Sequence, residues 1–239
     1  MNVYTIISPG HGGSDPGCIF FDNSKEKEHT LKLGIELNNY LKKHIKTKLL
    51  RSSDVYISIN DRCKFINTFG KDCFTFDLHF NSLTEKLRET YPSTRGTEIF
   101  VSTFAGQQYK DFASFLCKEL SNKLKTTNRG MKIKIRTDGK DYYGMIRDTK
   151  GHTFIIEVEF GDQEDACILI NSYNFYKIVA EIIGKNILTL LYGIKVEEEK
   201  TPDKLYCVQT GAFSKKSNAI NQVILLKKFG FSDSIIIEK

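Results

Sequence analysis

The sequence predicts an α/β protein with a twisted, mostly parallel central sheet, helices on both faces and a small C-terminal βαβ segment. Three observations lead there. Runs of strand length at residues 3–7, 46–52, 73–80, 96–103 and 153–160 are interleaved with stretches whose apolar residues recur at helical spacing. Two histidines, His11 and His79, come at the carboxyl ends of such runs, where open parallel sheets keep their ligands. The length, 239 residues, suits one well-cored domain and a small appendage.

The first run, VYTII, stops in the loop SPGHGGSDPG, which holds His11 among glycines and prolines. Glycine permits backbone geometry closed to other residues. Residues 26–45 follow as an amphipathic helix with Leu31, Ile35, Leu37 and Leu41 on its apolar side. Glu26 and Glu28 lie in its first turn, where the helix dipole favours an acid. KTKLLRS (46–52) reads as a short strand, and residues 58–69 as a helix with Ile59, Cys63 and Ile66 inward. CFTFDLHF (73–80) is a strand that puts Phe74, Phe76, Leu78 and Phe80 on one face and Cys73, Thr75, Asp77 and His79 on the other.

Residues 82–94 form a polar excursion, read as a rim loop. A strand at 96–103 carries Glu98, and a helix at 107–124 turns Phe112, Phe115, Leu116 and Leu120 inward. Residues 125–150, broken by Gly130, Gly139 and Gly144, read as surface loops lining a groove. TFIIEVEF (153–160) is a central strand with Glu157 and Glu159 near its carboxyl end. An acid so placed is costly unless a metal, a cation or hydrogen-bond donors compensate it. A helical region begins at 162 and a long apolar helix spans 174–192. The first domain is thus 1–193, a charged, proline-containing run at 194–204 is a linker, and 205–239 gives strand, turn, helix, strand.

Composition narrows the function classes. With 40% hydrophobic and 27% charged residues the chain is ordinary globular material, and no apolar run reaches the ~20 residues of a bilayer span. Its six cysteines form no CxxC pair, which argues against a thiolate zinc site and a disulfide framework and predicts reduced thiols. The net charge of +6 favours an anionic partner. The basic residues are dispersed and do not cluster with aromatics, so neither a nucleic-acid nor a membrane partner is expected.

His11, a glutamate of the 26–28 turn and His79 come from successive elements of one sheet edge. Two imidazoles and a carboxylate with an open fourth position recur in catalytic zinc sites. On these grounds alone Glu26 and Glu28 both remain open as the ligand, and Glu157 and Glu159 as a further acid. The segments SPGHGGSDPG, EKEHTLKLGIEL, LLRSSDVYISINDR, LHFNS, GTEIF, NRGMK and MIRDTKGHTFIIEVEF then decide the family. In order and approximate spacing they resemble the zinc-dependent N-acetylmuramoyl-L-alanine amidases of the amidase-3 type, over residues 3–192.

That resemblance implies that His11, Glu26 and His79 bind Zn2+ and that Glu157 is the catalytic carboxylate. Lys27 and Leu31 match the family's residues after the ligand Glu26, while Thr30 stands where asparagine is often found; Glu28 is the alternative ligand. The family's acid lies in a pattern E-x-G-F. The spacing from Arg147 and the position of Phe160 favour Glu157, Gly161 favours Glu159, and Glu159 occupies the usual glycine position. Asn81, Glu98 and Arg147 are further candidates for contacts to substrate or to the ligands.

The implied reaction is hydrolysis of the amide between N-acetylmuramic acid and L-alanine in peptidoglycan. The tail LYCVQTGAFSKKSNAINQVILLKKFGF resembles the opening half of a SPOR repeat, which implies binding to glycan strands or a homodimer that completes one module. The opening residues show no basic-then-apolar leader pattern. The whole resembles a phage endolysin of a clostridial host, synthesised in the host cytoplasm and acting at the wall after release. The alternatives are a bacterial autolysin or sporulation amidase, and a non-catalytic muropeptide-binding protein.

Overall fold

The computed structural model describes residues 4–91, 93–194, 196, 210–228, 234 and 236. The chain divides into two compact units, Met1–Val196 and Glu197–Lys239. In the first unit, β1 (Tyr4–Pro9), β2 (Thr47–Leu49), β3 (Cys73–Asn81), β4 (Thr97–Phe100), β5 (Asn128–Lys132) and β6 (His152–Phe160) form one sheet in the order β2-β1-β3-β6-β4-β5. Every neighbouring pair is parallel except β4 with β6. The expected α/β class is what the chain adopts.

Around the sheet lie α1 (Glu26–Leu41), α2 (Ile59–Asn67), α3 (Glu85–Thr90), α4 (Gln107–Leu124), α5 (Gly144–Arg147), α6 (Glu164–Ile170) and α7 (Phe175–Asn186), the last continued by a π-helical turn, Ile187–Leu191. The larger core joins Leu33, Leu37 and Leu41 of α1, Phe112, Leu116 and Leu120 of α4, and Val179 and Ile183 of α7 to Phe76 and Phe154 of the sheet. A smaller core on the other face packs Cys63 and Ile66 of α2 and Met145 and Ile146 of α5 on Ile6 and Ile155. Burial of such side chains contributes about 1.5–3 kcal/mol each.

Several elements differ from expectation. The buried face of α1 runs through Thr30, Leu33, Gly34, Leu37 and Leu41, leaving Leu31 and Ile35 half-buried. Gly34 lets the helix approach β1, since a Cβ there would stand 2.5 Å from Cγ of Pro9. Ile59 and Phe115, expected inward, are 52% and 47% exposed. The 82–94 excursion contains α3, and the 125–150 region contains β5, an edge strand that pairs with β4. NRGMK has no strand periodicity; its conformation is set by the neighbour it pairs with.

The parallel trio β1, β3 and β6 positions the site, because their carboxyl ends fall on one side of the sheet. Pro9 is in register with Leu78, and His79 with Glu157. In the second unit the described helix is α8 (Lys216–Lys228). Most of the expected 194–204 linker and of the two tail strands lies outside the described residues, while Ile194 and Val196 pack on the larger core of the first unit. Among the described residues no single helix is long and apolar enough to cross a bilayer, and Cys18, Cys63, Cys73, Cys117 and Cys167 are free thiols.

Candidate metal centre

Beyond β1 the chain enters a loop that few sequences can adopt. His11, Gly12 and Gly13 all have positive φ, at 59°, 130° and 56°. Gly10 is required for a different reason: a Cβ would come within 2.3 Å of the His79 ring. Two buried arginines pin the loop by its carbonyls. Arg51 donates to the carbonyls of Pro9 (3.1 Å) and Gly10 (2.8 Å), and Arg62 to those of Pro9 (2.8 Å) and His11 (2.6 Å). The planar, multi-donor guanidinium suits this fixed spacing of acceptors.

Glu26, the first residue of α1, is 3% exposed and stands between the two histidines. Its Oε2 lies 3.1 Å from Nε2 of His11 and its Oε1 3.0 Å from Nδ1 of His79. The backbone N–H groups of Cys18 and Phe80 donate to the same carboxylate at 2.9 and 3.0 Å. The far nitrogen of each imidazole faces another acid, Asp15 at 2.9 Å from Nδ1 of His11 and Asp77 at 3.4 Å from Nε2 of His79. Glu28 is exposed and outside this group.

The charges are strongly coupled. Burial works against Glu26 as an anion, yet hydrogen bonds from His11 and His79 hold its carboxyl well below the usual range. Burial likewise opposes a charge on His79, but Asp77 and Glu26 raise its pKa well above the ordinary value, and Glu26 raises that of His11. The ligand atoms of His11, Glu26 and His79 lie within 4.8 Å of one another. Two imidazoles and a carboxylate, with acids orienting both rings from behind, form a donor set that fits zinc.

Of the two acids on β6, Glu159 is wholly buried and fully engaged. Its Oε1 accepts from the N–H of Gly96 at 2.6 Å, and its Oε2 from Arg95 at 3.1 Å. Glu157 is partly exposed, and its Oε2 is buried without a hydrogen-bond partner among the described residues. Burial pushes its carboxyl up to about 7, with His79 pulling the other way and Glu26, Glu98 and Asp77 adding to the rise. Across the antiparallel pair Glu157 faces Glu98, which accepts from Asn81 at 2.8 Å and from Arg129 at 2.9 Å. Arg147 instead holds backbone carbonyls of Asp141 and Tyr142 and the carboxylate of Asp148.

A family model described as Amidase_3, N-acetylmuramoyl-L-alanine amidase, matches residues 5–189. The chain belongs to this family. The amidase is 28% identical over 240 residues to the sporulation-specific N-acetylmuramoyl-L-alanine amidase of Bacillus subtilis, a match covering 99% of this chain and 85% of the relative. It is 27% identical over 207 residues to the endolysin of Bacillus phage SPP1, covering 85% and 72%. Among solved structures, an N-acetylmuramoyl-L-alanine amidase from Clostridium difficile 630 aligns with a TM-score of 0.69 at 25% identity, over 80% of this chain and 98% of that one. The amidase thus acts on the N-acetylmuramoyl-L-alanine linkage of peptidoglycan.

Asp15, Asp77, Arg51 and Arg62 have no role assigned by the sequence patterns alone. The available signal is positional: Asp77 shares a strand face with His79, and both arginines lie inside the segment LLRSSDVYISINDR.

Proposed function

We propose that the amidase is zinc-dependent, that His11, Glu26 and His79 hold the metal, and that Glu157 is the catalytic acid and base. One observation carries this reading: Glu157 stands in register with His79, beside the three-ligand cluster, with a carboxylate oxygen that has no hydrogen-bond partner among the described residues. Zinc there would supply Lewis acidity, polarising the scissile carbonyl and lowering the pKa of water toward ~7. Glu157 takes a proton from the attacking water as its oxygen bonds to the carbonyl carbon. The carbon–nitrogen bond breaks, and Glu157 gives that proton to the departing nitrogen of L-alanine. A carboxyl raised by burial is suited to both halves of this exchange, and Glu159, tied to Arg95, is not free to serve.

The chelated protein is expected to lose hydrolysis and to regain it with zinc, releasing free L-alanine amino groups without new reducing sugar ends. Glu157→Gln is expected to keep its zinc by elemental analysis while turnover falls about 100-fold or more. Full activity in that variant would remove Glu157 from the mechanism.

For deployment, the reading is wall lysis by a phage endolysin, with the tail binding glycan strands or pairing two chains. A second reading, a sporulation amidase, is favoured by the alignment with the Bacillus subtilis enzyme, which runs through the tail. Transcript timing separates them: prophage induction for the first, the sporulating mother cell for the second.

A further inference from the structure

A cavity of about 420 Å³ opens beside the metal centre, lined by Cys18, Phe21, Ser82, Leu83, Arg88 and Asp162 among others. It adjoins the site through short links. The N–H of Cys18 donates to Glu26, Ser82 and Leu83 follow directly on β3, and Asp162 lies just past the end of β6. Phe21 and Ile19, 56% and 46% exposed, give it an apolar wall.

Its polar groups have a definite character. Asp162 is 3% exposed. Its Oδ2 accepts from the N–H of Leu83 at 2.9 Å and stands 3.3 Å from Nε of Arg88, while its Oδ1 is buried with no hydrogen-bond partner among the described residues. Arg88 is 47% exposed, and its Nε is the atom paired with Asp162. A planar guanidinium carries further donors beyond Nε and binds an anion in bidentate fashion.

We infer that this cavity is the subsite for the peptide side of the scissile amide, with Arg88 the specificity-determining residue that pairs with a carboxylate on the stem. The inference rests on the proposed reacting centre. Of the two halves of the substrate, the sugar next to the bond is uncharged once its lactyl group is in amide linkage, whereas the peptide carries carboxylates and backbone N–H groups. A half-exposed cation at an apolar-walled cavity matches the second half.

The test compares two soluble substrates whose γ-carboxyl is capped as the methylamide, N-acetylmuramoyl-L-alanyl-D-isoglutamate and the isoglutamine form, which then lacks a free carboxylate. The wild-type chain is expected to prefer the acid. Arg88→Ala should raise KM for the acid about 10- to 100-fold with kcat little changed and leave the isoglutamine substrate nearly unaffected; Arg88→Lys should restore part of the preference. Equal losses on both substrates, or a fall in kcat alone, would reduce Arg88 to a structural role and overturn the inference. Calorimetric titration of free L-alanyl-D-isoglutamate into Glu157→Gln, with and without Arg88→Ala, decides the subsite apart from turnover. A wild-type chain that hydrolyses neither substrate while this titration still depends on Arg88 would sink the reacting centre and leave the subsite standing.

Discussion

His11 carries a left-handed backbone, which costs a residue with a Cβ about 1 kcal/mol. The pinned carbonyls on either side of it hold that conformation in place, and the imidazole is thereby aimed before any ligand arrives. Asp77 does the corresponding work for His79, while also accepting from the hydroxyl of Ser8 at 2.7 Å. Asp77→Asn keeps the size but removes the charge behind the ring, so zinc affinity is expected to fall about 10- to 100-fold in competition with a chromogenic chelator. An unchanged affinity would restrict Asp77 to its bond with Ser8. The two histidines were legible because each ends a strand. Asp77 was not, because an alternating polar position reads as an ordinary strand face until packing shows what lies opposite. Glu157 and Glu159 illustrate the same limit: they share a strand, and Arg95 and Gly96 reach one of them.

α1 delivers Glu26 to the site, and its footing is partly titratable. His29 is buried one turn along, stacked on Phe20 with ring centroids 4.0 Å apart and hydrogen-bonded to Ser24 and Tyr176. Burial, with Lys32 adding to it, lowers its pKa from 6.5 to about 4. Between those values the unfolded chain binds the extra proton, so the contribution of a neutral His29 is whole above about pH 6.5 and is lost as the pH falls toward 4. Thermal melts from pH 7 down to 4 are expected to show a steeper decline for the wild type than for His29→Gln; parallel curves would remove His29 as a source of acid sensitivity. At this scale the sequence was most readable where periodicity was strong, and α4 occupies the 107–124 span expected of it. It was least readable at β5, which owes its strand to β4, and in the antiparallel pairing of β4 with β6, since no local pattern encodes the direction of a neighbour.

As a whole molecule the amidase is a catalytic unit with a smaller C-terminal one. The two cores are contained in Met1–Val196, so a chain ended after Val196 is expected to melt cooperatively and to hydrolyse soluble muropeptides with unchanged kcat/KM. If the tail grips glycan strands, that shortened chain will fail to sediment with purified sacculi; sedimentation equal to the full chain would leave the tail no part in wall binding. The α/β class was legible from the alternation of strand and helix patterns, whereas the strand order required the contacts themselves. The sheet's two margins carry a consequence for the protein before it ever meets a wall. β2 has only three residues, with Lys48 exposed, and β5 is short, broken by Gly130 at φ 81° and ends on Lys132. Short, charged, irregular borders are poor templates for another chain to extend. Neither margin of this sheet is therefore suited to extension by a strand of another copy.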